Sequence, residues 1–344
     1  ALLFFGRLLI VRHLLAQHEP EPTDANARAA LLDAGYARGL AEYDAAIASL
    51  QRALSLLPNT ASQLRTNVLI NLGTAYGSLG DTEQSSHYTA QALKISRQLN
   101  DLYSLVGIIS NIGIDKEIGG DWAGAAADYG EALRLAEQLG SLVEQARIHN
   151  LLGTLRLHQG DDAAAEDHLQ RAIALFRQID NPEYLAATLP MLAQLRLRQQ
   201  QWEAARAALG EAEALATAEG WDYILPETYV TQAHLALAEG DPASAQTRAE
   251  QAIAVAAELE LAVDEGKAWR ARGIVLAAAG QLDEPLAAFE RSLTLLTDQD
   301  PYETACTKLA FARALAGAGQ DARGAELARE AKATLRRLGA PIES

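Results

Sequence analysis

The sequence predicts an all-α solenoid built from about eight helical hairpins, one every forty residues or so. Three observations carry this reading. Apolar residues make up 49% of the chain but aromatics only 6%, and Ala and Leu dominate the apolar set. Both are strong helix formers, whereas strands favour β-branched and aromatic side chains. An Ala followed by an aliphatic residue recurs at Ala53-Leu54, Ala92-Leu93, Ala132-Leu133, Ala172-Ile173 and Ala252-Ile253. Ala212, Ser292-Leu293 and Ala331 fill the remaining slots, so successive slots lie 39 or 40 residues apart throughout. A glycine closes the first helix of most units, at Gly80, Gly120, Gly160, Gly240, Gly280 and Gly319.

The elements follow in order from that beat. Residues 1–22 read as the second helix and loop of a truncated earlier repeat, with His13-Leu14 in the Ala-aliphatic slot and an apolar opening, Leu2 to Phe5. The native chain is therefore expected to continue upstream. Residues 23–344 form one solenoid without an internal break, with repeats near 26–60, 61–100, 101–140, 141–180, 181–220, 221–260, 261–300 and 301–340. Asp81, Asp121, Asp161 and Asp241 follow turn glycines, where a carboxylate caps the next helix. First helices start at Asp101, Ser141, Asn181-Pro182 and Asp300-Pro301. Small residues recur in two slots of each unit, at Gly73, Gly113, Gly153, Ala193, Ala233 and Gly273 and at Ala46, Ser85, Ala125, Ala165, Ala205 and Ala245, letting paired helices approach closely. Pro190 predicts a kink inside a first helix. The first unit, with Gly35 one place late and Ala41 in the turn slot, and the seventh, with Pro285 in a small-residue slot, are expected to be distorted.

Composition excludes several functions. A net charge of −16 repels nucleic-acid phosphates, so no direct nucleic-acid binding is expected. A single cysteine, Cys306, rules out an intrachain disulfide and fits a reducing, cytoplasmic setting. No apolar run spans a membrane. No Gly-rich loop ends in Gly-Lys-Ser/Thr, and the seven histidines have no metal-ligand spacing. No nucleophile stands beside a base in the sequence pattern, so the stretch reads as non-enzymatic, with no cofactor and no metal. Trp122 and Trp202 read as packing residues at second-helix starts, and Cys306 as a half-buried structural thiol.

The second unit reads Leu72-Gly73-x-x-Tyr76-x-x-x-Gly80-Asp81, and the third Gly113…Gly120-Asp121-Trp122-x-x-Ala125-x-x-x-Tyr129-x-x-Ala132-Leu133. This pattern closely resembles the tetratricopeptide (TPR) repeat over residues 26–339. The usual TPR period is about 34 residues, so each helix here is expected to be longer by some three residues, roughly 4.5 Å. The resemblance implies a right-handed superhelix whose first helices line a concave wall, with ligand contacts from fixed first-helix slots. Those slots hold Asn67, Asn71, Thr74 and Ser78; Ser110, Asn111, Glu117 and Ile118; Arg147, Asn150, Thr154, Leu157 and His158. They continue with Met191, Gln194, Leu197 and Arg198; Glu227, Val230, Thr231 and His234; then Lys267, Arg270, Ile274 and Arg313. The Asn amides offer donor and acceptor together, suited to a peptide backbone or sugar hydroxyls. The later units lean basic, through Arg147, Arg198, Lys267, Arg270 and Arg313, and would receive a carboxylate or phosphate.

Long repeats of this style are similar to the sensor arms of STAND regulators, signal-transduction ATPases with numerous domains, among them a maltotriose-responsive bacterial activator. That resemblance implies an arm that receives a peptide or small-molecule inducer and releases autoinhibition of an upstream ATPase module, leading to transcription regulation. Two other readings stay open: a constitutive scaffold holding a protein partner in its groove, and a peptide-pheromone receptor. The apolar chain ends are expected either to self-associate or to be covered by further domains.

Overall fold

A computed structural model describes residues 27–28, 30–32, 43–281 and 283–342. The expected remnant repeat at 1–22, and Gly35 and Ala41 of the first unit, lie outside the described residues. Residues 27–28 and 30–32 are helical, and fifteen α-helices and one 3-10 turn follow them, with no strand among the described residues. They are α1 Tyr43–Leu56, α2 Gln63–Ser78, α3 Thr82–Leu99, α4 Leu102–Ile118, α5 Trp122–Leu139, α6 Leu142–Gln159, α7 Asp162–Gln178 and α8 Pro182–Arg198. Then follow α9 Trp202–Glu219, the turn Asp222–Ile224, α10 Leu225–Ala238, α11 Pro242–Glu258, α12 Ala262–Ala278, α13 Asp283–Leu296, α14 Pro301–Gly317 and α15 Asp321–Leu338.

The predicted punctuation is where the sequence put it. Side chains of Asp81, Asp121, Asp161 and Asp241 accept the backbone N–H three residues on, at 2.9–3.2 Å. Ser141, Asn181 and Asp300 do the same at the starts of α6, α8 and α14. The turn glycines have φ between 72° and 87°. Gln200 adopts φ 59° in the equivalent slot between α8 and α9, so a side chain tolerates the left-handed turn there. Pro190 is buried in α8, which runs uninterrupted from Pro182 to Arg198, so the expected kink does not break the helix. Pro285 lies in the first turn of α13, where a missing N–H leaves no hydrogen bond unmade.

The chain divides into two compact units. The first comprises residues up to Asn111 together with Arg134–Leu139. In it α1 packs on the α2–α3 hairpin over Ala46, Ile47, Leu50, Ala53, Val68, Leu72 and Ala75. Tyr76 and Tyr88 stack across that hairpin at 5.5 Å.

The second unit comprises Ile112–Leu133 and everything from Gly140 on. Five hairpins, α6–α7 to α14–α15, pack in series, and each first helix also touches the next one: α6 on α8, α8 on α10, α10 on α12, α12 on α14. Aromatic and leucine side chains fill the hairpin cores, among them Phe176, Leu189 and Leu209, then Phe289, Phe311 and Leu315. Close approach is visible at Gly153, where a Cβ would stand 2.7 Å from Leu169 Cγ. This unit also closes on itself. The Tyr302 ring at the start of α14 lies 5.4 Å from Trp122 and 4.6 Å from His158. Leu338, at the end of α15, covers Gly120, where a Cβ would come within 2.8 Å of it, and Pro341 covers Gly160 in the same way at 2.9 Å.

Candidate functional site

First helices of the second unit turn their polar slots inward, onto connected cavities. One, of about 340 Å³, is lined by His158, Gln194, Arg198, Glu227, His234, Lys267, Arg270, Tyr302, Glu303 and Cys306 with two apolar residues. A neighbouring cavity of about 260 Å³ shares His158, Gln194, Arg198, Arg270, Tyr302 and Cys306 and adds Arg313. A third, also about 260 Å³, runs from His158 and Tyr302 past Thr154 to Glu117 and Trp122.

The repeat places charges of opposite sign one period apart. Glu227 on α10 and Lys267 on α12 hold the same slot forty residues apart, and they meet as an ion pair. Gln194 Nε2 donates to the same Glu227 carboxylate at 2.5 Å. Next along, Arg270 pairs with Glu303 Oε2 at 2.5 Å and donates to the Glu303 carbonyl at 3.1 Å. Arg198 donates to the Leu157 carbonyl and meets Asp162, both at 2.7 Å. Glu117 accepts the Tyr129 hydroxyl at 2.7 Å and lies 3.8 Å from His158.

Burial sets the protonation states. Taking Glu303 out of water pushes its pKa up, but Arg270, Lys267 and His158 outweigh this and hold it at about 2. The same burial drives both His158 and His234 down to about 4, so each is a neutral imidazole at pH 7. Burial lowers Lys267 and raises Asp264 to about 6. The Cys306 thiol is pushed up to about 12 by burial, which leaves it inert as a nucleophile. The interior is thus a charged, mostly paired network, with the Nε2 atom of His234 buried and without a hydrogen-bond partner among the described residues.

The candidate residues named from sequence divide between the two units. His158, Gln194, Arg198, His234, Lys267, Arg270 and Arg313 share the first two cavities, and Glu117 and Thr154 the third. Asn150 is half-buried with its Oδ1 unpartnered among the described residues, and Arg147 is held by Glu144 on its own helix at 2.9 Å. In the first unit Asn67 and Thr74 are exposed, and their neighbourhood is bonded locally. Asn71 Nδ2 donates to the Asn67 carbonyl at 2.7 Å and Thr74 to Ile70 at 3.0 Å. Asn111 is exposed, whereas Ser110 is buried and donates to the Val106 carbonyl at 2.7 Å. Sequence reasoning did not single out Tyr302 and Glu303. Tyr302 meets Trp122 across 180 positions of chain, which no repeat pattern signals.

The family model for the MalT-like TPR region matches residues 27–229. The chain belongs to the MalT-like TPR family. The matched stretch of this MalT-like TPR chain ends inside α10, so Lys267, Arg270 and Glu303 lie beyond it. No curated protein matches the chain. Among solved structures, it is similar to a Rap protein complexed with Competence and Sporulation Factor, at 14% identity and TM-score 0.65, covering 92% of this chain and 93% of that one. The apo quorum sensor NprR from B. thuringiensis superposes at 12% identity and TM-score 0.65, covering 96% and 97%. NprR in complex with its cognate peptide NprX gives 10% identity and TM-score 0.65, covering 92% and 90%. At these identities the likeness is one of fold.

Proposed function

We propose that this chain is the ligand-receiving sensor arm of a STAND-type regulator, and that the interior of its second unit holds a peptide or small-molecule inducer whose binding relieves autoinhibition. The observation that carries this is the buried charge network around the connected cavities. Removing Lys267, Glu227, Arg270 and Glu303 from water costs several kcal/mol per ion before pairing, by order of magnitude, and hydrophobic residues would pack the same space at no such cost. A cavity so lined is organised for recognition. The peptide complexes of the structurally similar Rap and NprR proteins support a ligand in a solenoid of this kind. No enzymatic role is assigned, since the one thiol at the site is inert. The repeats near 26–340 would then form the arm.

Native mass spectrometry after incubation with producing-cell extract tests this. A small adduct is expected on the wild type and not on Ala310→Trp, which fills the cavity wall, with helical content unchanged in both. An adduct retained by Ala310→Trp, or none on the wild type, sinks the reading. One observation favours a scaffold instead: Val143, Tyr184, Tyr223 and Leu259 are exposed apolar residues recurring near the forty-residue beat at the hairpin junctions. A bound protein without a small adduct would move the assignment there.

A further inference from the structure

We infer that the ligand of the second unit presents a carboxylate on an apolar body, and that Arg313 reads it. This rests on the interior being the ligand site. The argument is one of donors and acceptors. The cavity of about 260 Å³ has Arg198, Arg270 and Arg313 in its wall and no carboxylate. A guanidinium carries five N–H donors. Arg270 commits only Nη1, to Glu303 and Thr307, so its Nε and Nη2 donors are unused among the described residues. Arg198 commits both Nη atoms and keeps Nε. Arg313 has no ion pair or hydrogen bond among the described residues, although every acid on the neighbouring cavity wall, Glu227 and Glu303, is already matched to a cation. Around these two cavities the surplus is therefore positive and donor-rich, while the carboxylates without a paired Lys or Arg, Glu117 and Asp300, line the third.

A guest rich in acceptors balances that account, and a carboxylate fits a guanidinium fork with two parallel bonds. The rest of the wall fixes the other half of the guest. Leu157, Ile274, Leu309 and Leu335 give it an apolar side, which rewards an alkyl body and offers nothing to a bare inorganic ion. The same chemistry occurs at the free C-terminus of a peptide ending in an aliphatic residue and in a free aliphatic acid.

Two pairs of probes separate these sources: the peptide Ala-Ala-Ala-Leu as free acid and as C-terminal amide, and hexanoate beside hexanamide. Titration calorimetry at low salt, on the full chain, is expected to show the acid of at least one pair binding about tenfold or more tighter than its amide. Arg313→Gln, at an exposed position, is expected to erase that preference by weakening the acid far more than the amide. A preference confined to the peptide pair assigns a peptide end; one seen with hexanoate assigns a free acid. Acid and amide binding alike, or a preference that survives Arg313→Gln, overturns the inference. So does silence from both pairs. An adduct displaced by Ala310→Trp would then leave the site standing and the carboxylate reading fallen, whereas no adduct would remove both.

Discussion

The two units carry similar polar slots in different surroundings. In the first, Asn71, Thr74 and Ser78 donate one turn back along their own helix, to residues four positions earlier, and the face is largely open to water. In the second, Gln194 reaches Glu227, Lys267 reaches Glu227 and Arg270 reaches Glu303, bonds that span 33 to 40 residues. Exposed groups that bond locally keep their water and lose little when cut. Groups that bond across repeats are desolvated by the neighbouring first helix and by the return of α14 onto α6. Residue type at a slot is thus a poor guide to its energetic weight; what lies opposite decides it.

The sharpest way to break this contrast is Glu303→Ala. It leaves Arg270 without its partner in a buried place and is expected to cost about 3–5 kcal/mol in denaturant unfolding. A cost under about 1 kcal/mol, the range of exposed pairs, would show the interior to be wet. Next is packing. Gly153→Leu drives a side chain into Leu169 and should cost about 3 kcal/mol. In the first unit Gly77→Ala meets only the Ser85 hydroxyl, at 3.3 Å, and should be neutral or stabilising by up to about 1 kcal/mol.

A pH series sharpens the comparison further. His234 has its folded pKa lowered from 6.5 to about 4, so between those values the unfolded chain binds a proton that the folded chain refuses. Stability from this group is intact above pH 6.5 and declines as pH falls toward 4. The stability gap between wild type and His234→Gln should therefore shift against the wild type by at most about 2 kcal/mol from pH 7 to pH 5. Asp264, raised to about 6, acts in the opposite sense in both proteins and cancels from the difference. A gap that does not move would mean His234 is protonated in place. The smallest effect belongs to the first unit: Asn71→Ala should change stability by no more than about 0.5 kcal/mol at either pH.

Much of the fold was legible because the repeat writes each local decision several times over. Glycine at a left-handed turn, Asp at a cap and a small residue where paired helices approach are short-range constraints, and short-range constraints recur in sequence. The Lys267–Glu227 pair was legible in principle as well, since opposite charges one period apart on first helices must face each other. Pro190 stays inside an unbroken helix because proline's local preference is a cost that a buried, well-packed helix can bear. Tyr302 and Glu303 were out of reach for another reason. Their partners come from closure of the second unit, which is set by the accumulated rotation of several hairpins and not by any single motif.

That closure bears on how such a chain can lengthen over generations. An open array of hairpins can duplicate or lose a unit anywhere along its run, because each unit needs only its neighbours. Here the Tyr302 ring rests on Trp122 and His158, and Pro341 on Gly160, at fixed separations along the chain. Inserting or deleting one hairpin between α6 and α14 would slide those partners past each other by a whole step. A chain with one unit more or fewer between them would therefore lose these contacts, whereas a point substitution in the cavity wall leaves them in place.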